Sequence, residues 1–467
     1  MLGAAWAACM PTRTKPKHIV ISQSTNRNVA RAAALNDLSD ATAAAAHEYS
    51  ARNPRSRALY ERAKHVMPGG NTRSALHFEP FPLYMVKSSE ARVEDADGHQ
   101  YLDVLGEFTA GLYGHTNQRI LQSALAAASS GIGNGAPGIQ EIELAEVLCK
   151  RFPSMERVRF CNSGTEANLY ALSLVRAATG RSKFLCFLGA YHGGVFVFGE
   201  GGNPINAPYD WTVCAYNDSE GAATAIDRLG EQLAAVIVEP MMTNAGCIPA
   251  TAHFLQTLRA SCDRTGAALI FDEVVTSRHG AAGLQGHYSI VPDLTTLGKY
   301  IGGGFSFGAF GGRAEIMERM NPGQPDALPH AGTFNNNVFS MTAGATALRE
   351  VYTTERATQL FQVGQALMER LNELCRANAP GAQFTGLGST MNIHFHRGTV
   401  NTPEDLKHQP KGLLTLLHFD LMARGIYAAR RGQINLSLPM TQNDLESLLE
   451  AIQAFLVRRA SLIDALT

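Results

Sequence analysis

The sequence predicts an α/β protein with a mostly parallel mixed sheet flanked by helices, together with a smaller α+β domain. From Arg157 onward, short apolar runs alternate with helical segments, as in VRFCNS followed by GTEANLYALSLVRAATG. This alternation is typical of parallel sheets with helices on both faces. The run ALIF before Asp272 is apolar throughout, as strands buried on both faces are. Residues 83–105 instead alternate around the turn Asp95–Gly98, which indicates a separate small sheet.

The order of these segments divides the chain into four parts. Residues 1–36 lack Asp and Glu and have no apolar periodicity, so we expect a disordered or non-essential tail. Residues 37–105 form the first segment of the small domain and residues 106–353 the large domain. Residues 354–467 form the second small-domain segment, which ends in a helix with a core-facing apolar stripe.

Composition excludes several classes of protein. The chain has 467 residues, 45% of them hydrophobic, and a net charge of -1, so we expect neither a nucleic-acid partner nor a membrane surface. No apolar run reaches the length of a membrane-spanning helix. The eight cysteines form no Cys-x-x-Cys pair and several lie in apolar runs, which favours a reducing, cytoplasmic location.

The strongest chemical signal lies between Ala267 and Gly312. One predicted strand ends in Asp272, and another ends next to Lys299, which a glycine run follows. Ligands of parallel sheets bind at the carboxyl ends of the strands, so both side chains are expected at the binding edge. An acid and a lysine placed in this way suit pyridoxal phosphate, because the lysine forms a Schiff base and the acid keeps the pyridine nitrogen protonated. Either residue alone is more often a turn former or a solvated surface residue.

The segment Asn162–Glu166 joins a predicted strand to a helix. Exposed amides at a helix N-terminus bind phosphate, which makes Ser163, Gly164 and Thr165 candidate ligands. Ser163 and Glu166 also fit a capping box, which leaves Gly164 and Thr165 without a structural explanation.

Aromatic and histidine side chains add weaker signals. Tyr191 follows the next strand and could stack on a pyridine ring, although a lone aromatic is more often core. We interpret His192 as a satisfied loop histidine. His394 and His396 share a strand face without a visible third ligand, so no metal site is predicted. The two further histidines beside the glycine-rich loop are also interpreted as non-ligands: His279 and His287.

Together these motifs resemble one family. The ordered set NSGTEA, AYHG, VEP, FDEV, TLGKYIGGG and HAGTFNNN resembles the class III aminotransferases of fold-type I pyridoxal-phosphate enzymes, over roughly residues 55–460. Within the class the chain is similar to the branch that holds glutamate-1-semialdehyde aminomutase and the β-amino-acid transaminases.

The resemblance assigns roles to individual residues. It implies that Lys299 carries the cofactor and that Asp272 is the pyridinium partner. Tyr191 would stack on one face of the ring and Val274 on the other. The remaining implied cofactor contacts are Glu239 near the phenolic oxygen, Ser163, Gly164 and Thr165 at the phosphate, and Thr333 at the phosphate of the neighbouring subunit of a homodimer with shared sites.

The implied reaction moves the amino group of a β-amino acid, such as 3-amino-3-phenylpropanoate, to 2-oxoglutarate or pyruvate. Planar carboxylates favour arginine, and the resemblance places the carboxylate-binding arginines at Arg73 and Arg431. Arg430 is the confounder, because adjacent residues of an extended segment point to opposite sides.

Two alternatives remain open. The Pro68-Gly69-Gly70 start is similar to that of the aminomutase, which returns the amine to the same molecule, although GTFNNN departs from its pattern and the Arg-Arg-Gly at 430–432 favours the β-amino-acid branch. The other alternative is a non-catalytic cofactor-binding regulator. The intact Lys299 and the lack of an appended DNA-binding segment disfavour it.

Overall fold

The computed structural model describes residues 21–133, 135–199 and 202–467. The strands are β1 Met85–Ser89, β2 Arg92–Asp95, β3 Gln100–Asp103, β4 Arg157–Cys161, β5 Lys183–Phe187, β6 Asp210–Cys214, β7 Leu233–Val238, β8 Met241–Met242, β9 Ile248–Pro249, β10 Ala268–Asp272, β11 Leu294–Gly298, β12 Gly308–Gly312, β13 Ala382–Leu387, β14 Thr390–Phe395, β15 Ile426–Tyr427 and β16 Gln433–Asn435. The α-helices are α1 Ile21–Arg52, α2 Pro54–Lys64, α3 Gln118–Ala128, α4 Ile139–Arg151, α5 Gly164–Thr179, α6 Ser219–Leu229, α7 Ala252–Thr265, α8 Gly283–Tyr288, α9 Ala314–Met317, α10 Val338–Thr346, α11 Thr354–Asn378, α12 Lys411–Ala423 and α13 Gln442–Leu466.

The central sheet has seven strands in the order β4-β12-β11-β10-β7-β5-β6. Only β12 runs antiparallel to its neighbours, so the prediction of a mostly parallel mixed sheet is confirmed. Strands β10 and β11 are parallel neighbours, and Asp272 lies opposite Thr296 in their register. Their carboxyl ends therefore meet at the same edge of the sheet.

Helices on this sheet contribute to two apolar cores. Leu172 of α5, Ile226 of α6 and Leu258 of α7 join one cluster with the central strands. Leu144 of α4 and Met341 of α10 join the other cluster, which continues into the C-terminal helices. All five side chains are fully buried, and burial of this kind stabilises by about 1.5–3 kcal/mol for each large aliphatic side chain.

Strands from both ends of the chain share one small sheet. Its order is β1-β2-β3-β15, and β15 pairs in parallel with β3, with Ile426 opposite Leu102 and Tyr427 opposite Asp103. A second small sheet has the order β13-β14-β16. The α+β domain built from both chain ends is thus part of the fold, while the domain boundaries given above stay predictions.

The N-terminal helix is longer than the sequence suggested. Helix α1 begins at Ile21, so residues 21–36 of the predicted tail are helical rather than disordered. The alanine-rich helix packs through Ala34 and Leu38, which are buried in the core beside the C-terminal helices. Residues 1–20 lie outside the described residues, and the dispensability of residues 1–36 stays a prediction. In the described ranges, no helix is long and apolar enough to cross a membrane.

Candidate active site

Lys299 is the first residue after β11, and its backbone is left-handed, with φ at 55°. Non-glycine residues in this region are uncommon and concentrate at functional sites. The side chain is half-buried, and no hydrogen bond or ion pair within residues 21–133, 135–199 and 202–467 engages its ammonium group. Burial lowers the pKa of Lys299, Arg431 and Arg73 act in the same direction, and Asp272 and Glu239 act against it. The structure therefore surrounds an uncommitted amine with both acids and arginines.

Asp272 ends β10 and is buried in a hydrogen-bond network. One carboxylate oxygen accepts from His192 Nδ1 at 2.8 Å and from Asn168 Nδ2 at 2.8 Å, and the other accepts from the Val274 amide at 3.1 Å. The Thr296 hydroxyl in turn donates to Asn168 Oδ1 at 2.6 Å. The carboxylate is thereby fixed at the sheet edge by groups from four separate segments.

The interpretation of His192 as an ordinary loop histidine is wrong. Its side chain is buried against Asp272, and its Nε2 has no hydrogen-bond partner within the described part of the chain. Sequence reasoning also missed Asn168, although it lies one helical turn after Gly164 and so faces the same side of α5. The position of His192 beside Tyr191 at a strand end was the available signal.

Glu239 follows β7 and supports Tyr191 through the backbone. Its carboxylate accepts from the Tyr191 amide at 2.9 Å and from the Thr243 amide at 3.3 Å. Burial raises the pKa of Glu239 to about 7, with nearby His192 lowering it and Asp272 raising it. Near neutral pH this carboxyl group can thus hold or release a proton.

The N-terminus of α5 forms a cradle next to these acids. The Ser163 hydroxyl caps the helix by accepting from the Glu166 amide at 3.1 Å, as the capping interpretation expected. A side chain at Gly164 would lie 2.8 Å from a methyl group of Val274, so this backbone approaches its neighbours closely. The Thr165 hydroxyl accepts from the Gly194 amide at 3.1 Å, which joins the cradle to the loop after Tyr191.

Tyr191 and Thr333 are the exposed members of the predicted cofactor-binding set. Tyr191 is 41% exposed although it lies beside the buried Glu239. Thr333 is exposed in the loop that precedes α10, and no hydrogen bond joins it to another candidate residue in the described part of this subunit. Asn335 anchors the same loop by accepting from Asn162 Nδ2 at 2.9 Å.

Arg73 and Arg431 meet at Phe108. Their guanidinium carbons lie 5.5 Å and 5.4 Å from the centre of this ring. Arg431 also donates to Asn244 Oδ1 at 2.7 Å and, through Nε, to Gln433 Oε1 at 2.9 Å. The two predicted carboxylate-binding side chains are therefore brought together.

Arg430 lines the same cavity as Arg431, although the two side chains were expected to point to opposite sides. The segment between β15 and β16 turns, with Gly432 at φ 86°, whereas strict alternation of side chains requires an extended chain. Both Arg430 and Arg431 consequently line a cavity of about 710 Å³. Arg430 itself is exposed and, in the described structure, only Arg431 of the two contacts Phe108.

The donor set fits pyridoxal phosphate. First-turn amides and hydroxyl groups at α5 suit a phosphate, the buried Asp272 suits a protonated ring nitrogen, and the free amine of Lys299 suits a carbonyl carbon. Within the described residues no group of His, Cys, Asp and Glu side chains is arranged to hold a metal ion.

This chain belongs to the class III aminotransferases, whose family pattern it matches over residues 74–198 and 203–454. Pyridoxal phosphate is the cofactor of this class and of this enzyme.

Particular relatives are similar over nearly the whole chain. The β-phenylalanine transaminase of Variovorax paradoxus is 45% identical, covering 91% of this chain and 98% of the relative. The crystal structure of a β-phenylalanine aminotransferase from the same organism superposes with a TM-score of 0.89, covering 90% of this chain and 98% of that one at 45% identity. The glutamate-1-semialdehyde 2,1-aminomutase of Methanopyrus kandleri is 35% identical, covering 88% of this chain and 99% of the relative.

Proposed function

We propose that this aminotransferase takes the amino group of a β-amino acid, such as 3-amino-3-phenylpropanoate, and passes it to 2-oxoglutarate or pyruvate. The supporting observation is that two arginines without a carboxylate partner in the described structure converge on Phe108 and lie close enough to Lys299 to lower its pKa. Such a pair suits substrates that carry a carboxylate at either of two distances from the reacting carbon. The similarity to β-phenylalanine transaminase supports the same substrate class.

Each residue of the site has a proposed task. Pyridoxal phosphate supplies an electron-withdrawing ring that stabilises negative charge on the substrate carbon. Asp272, fixed by His192 and Asn168, would hold the ring nitrogen in its protonated form. Lys299, whose pKa is lowered by burial, would serve as the base that accepts the proton from the substrate carbon.

The remaining residues bind and orient the cofactor. Ser163, Gly164 and Thr165 hold the phosphate at the N-terminus of α5. Tyr191 and Val274 would hold the two faces of the ring. Glu239, which fixes the Tyr191 backbone, would lie on the phenolic side.

The active enzyme is proposed to be a cytoplasmic homodimer in which Thr333 reaches the phosphate of the partner subunit. The accessible Tyr191 and Thr333 support this assignment, because a cofactor-binding cleft that excludes water would cover both. Large apolar side chains are also exposed near the loop that carries Thr333, and Asn336 ties this loop to Glu141 of α4 at 3.2 Å. Contiguous exposed apolar surface marks interfaces, and the exposed residues here are Ile132, Ile139, Ile142 and Phe334.

The second candidate is a glutamate-1-semialdehyde 2,1-aminomutase, which the 35% identity to that enzyme favours. An aminomutase needs no external acceptor, whereas a transaminase does. A non-catalytic regulator is disfavoured by the uncommitted Lys299 at the sheet edge.

Two assays separate the transaminase from the aminomutase. Purified protein is mixed with 3-amino-3-phenylpropanoate and 2-oxoglutarate, and glutamate is measured, with the Lys299→Ala protein as control. Catalytic glutamate formation that requires Lys299 supports the transaminase. Conversion of glutamate-1-semialdehyde without any acceptor, and no glutamate from the β-amino acid, would identify the aminomutase.

A further inference from the structure

Phe108 contacts both proposed carboxylate-binding arginines, which come from opposite ends of the chain. The two guanidinium carbons lie at nearly equal distances from the ring centre, 5.5 Å for Arg73 and 5.4 Å for Arg431. Two like charges at one ring repel each other, and the electron-rich ring face and an incoming anion offset that repulsion. The ring therefore lies within cation–π distance of both charges.

The two arginines depend on this ring to different degrees. Arg431 is held independently by Asn244 and by Gln433, which accepts from both Nε and Nη2. Arg73 is exposed, and its guanidinium group forms no hydrogen bond or ion pair with any residue that the structure describes. The described chain thus offers the Arg73 guanidinium a contact with the Phe108 ring but no hydrogen-bond or ion-pair partner.

The backbone under Phe108 is left-handed over four consecutive residues. The φ angles are 54° at Gly106, 52° at Glu107, 52° at Phe108 and 83° at Thr109. Three of these are not glycine, and such a run persists only where its surroundings hold it.

Hydrogen bonds from neighbouring side chains hold this left-handed turn in place. Asp103 Oδ1 accepts from the amides of Leu105 and Gly106, each at 3.0 Å. Arg278, buried without a carboxylate partner within the described residues, donates to the Thr109 carbonyl at 3.1 Å. Both ends of the turn are fixed from the protein interior.

A buried relay connects the same turn to Arg431. Gln433, which accepts from Arg431, donates to Asn435 Oδ1 at 3.0 Å, and Asn435 donates to the Leu105 carbonyl at 2.7 Å. Hydrogen bonds consequently link the turn to Arg431, whereas none within the described chain links the Arg73 guanidinium to either.

We propose that Phe108 is a positioning residue that orients the Arg73 guanidinium group toward a substrate carboxylate, with the left-handed turn and the Arg431 relay as its support. This inference rests on the proposed function, because it takes Arg73 to bind a carboxylate. It adds that recognition by Arg73 depends on a ring that touches no reacting atom, and that recognition by Arg431 does not.

The test is a set of double-mutant cycles on the holoenzyme. Calorimetry measures the Kd of 3-phenylpropanoate, a carboxylate that cannot react, for the wild type, F108L, R73A, R431A and the two double variants F108L/R73A and F108L/R431A. We expect F108L to weaken binding about tenfold in the wild-type and R431A backgrounds, and less than about twofold in the R73A background. F108Y, which keeps the ring, should bind as the wild type does, and R430A serves as the control for lost surface charge.

Three readings separate positioning from other effects. The cofactor absorbance and the melting temperature of F108L should match the wild type, which excludes general damage. Binding of the neutral 3-phenylpropanamide should not change, whereas an equal loss for the amide would show direct contact with the ligand and overturn the inference. If F108L weakened binding of 3-phenylpropanoate equally in the R73A and wild-type backgrounds, or did not weaken it at all, the inference would be overturned as well.

The binding experiment can distinguish a failure of the positioning role from a failure of the proposed transamination. An enzyme that transfers no amino group from 3-amino-3-phenylpropanoate, yet shows the Arg73-dependent loss, would contradict the proposed function and leave the positioning role intact. Turnover of that donor with an additive cycle, or a wild type that does not bind the carboxylate, would contradict the positioning role.

Discussion

At the scale of single residues, Arg73 and Arg431 are proposed to provide the specificity for carboxylates. We expect Arg73→Ala and Arg431→Ala each to weaken transition-state binding of carboxylate substrates by about 2–4 kcal/mol, because each removes a positive charge that would pair with a substrate carboxylate. Steady-state kcat/KM for 3-amino-3-phenylpropanoate and for 2-oxoglutarate measures the loss.

Arg430→Ala is the matched control for these two variants. It removes an exposed neighbouring charge that does not contact Phe108, so its kcat/KM should stay within about twofold of the wild type. Wild-type kinetics in both Arg73→Ala and Arg431→Ala would contradict the substrate assignment while leaving the cofactor assignment untouched.

Protonation of Glu239 makes the free energy of unfolding depend on pH, and the direction of this dependence can be predicted. Burial raises the pKa of this carboxyl group from 4.5 to about 7, so the folded chain binds the proton more tightly than the unfolded chain does. Between these pH values the unfolded state loses the proton first, and the free energy of unfolding therefore falls as pH rises, by up to about 3 kcal/mol.

Denaturant unfolding of cofactor-free protein from pH 4.5 to pH 7.5 measures this slope. Glu239→Gln should flatten the decline, although its amide cannot accept from both the Tyr191 and the Thr243 amides and its absolute stability should be lower. An unchanged slope in Glu239→Gln would show that another group titrates in this window.

The sequence was sufficient to predict candidate site residues whose chemistry forms a recognisable pair. It was not sufficient to predict the residues that hold those candidates in place. Lys299 and Asp272 could be predicted because each ends a buried strand and the two complement one cofactor. His192 and Asn168 were missed, because their importance lies in contacts with Asp272 that come from different segments, and their positions near Tyr191 and Gly164 were only weak signals. The same holds for Phe108, whose left-handed backbone is invisible in the sequence.

At the scale of elements, the loop after β5 must approach the first turn of α5 closely. Gly193 has φ at 116°, and a side chain there would lie 2.4 Å from the Thr165 hydroxyl. Gly193→Ala should therefore displace Thr165 and weaken cofactor binding roughly tenfold or more. Titration of cofactor-free protein with pyridoxal phosphate, followed by absorbance, measures the change.

Gly194→Ala is the control for this variant, because a side chain at Gly194 would meet no atom within 4 Å and its amide still donates to Thr165. It should bind the cofactor as the wild type does. Equal effects of the two substitutions would show that loop flexibility, rather than the close approach to Thr165, matters for binding.

Elements with strong periodicity were predictable from the sequence, and those set by distant contacts were not. The alternation after Arg157 predicted the central sheet, and the apolar run of β10 predicted its burial on both faces. The pairing of β15 with β3 joins segments from both chain ends and has no local signature beyond two residues. Helix α1 begins at Ile21 and packs through Ala34 in the core that the C-terminal helices share, a contact that composition does not reveal.

At the scale of the whole molecule, the proposed sharing of sites predicts complementation between defective subunits. Lys299→Ala would remove the proposed catalytic amine, and Thr333→Asp would place a negative charge against the phosphate of the partner subunit. A heterodimer of the two variants contains one site with an intact Lys299 and an intact Thr333 from the other subunit. Differentially tagged, purified heterodimers should recover up to about half of the wild-type activity, since one of the two sites is complete.

The two homodimeric variants are the controls and should be nearly inactive. An active Thr333→Asp homodimer would show that Thr333 does not approach the phosphate. Verified heterodimers without recovered activity would contradict sharing of the sites.

The central claim is that Lys299 and Asp272, at the ends of β11 and β10, move an amino group from a β-amino acid to the cofactor. Its most direct test is the half-reaction without an acceptor, in which purified holoenzyme is mixed with excess 3-amino-3-phenylpropanoate and 3-oxo-3-phenylpropanoate is quantified. The account predicts about one equivalent of product for each subunit, a matching loss of the cofactor's aldehyde absorbance, and neither change in Lys299→Ala. Absence of product from the wild type, with a cofactor that still reacts fully with α-amino acids, would contradict it.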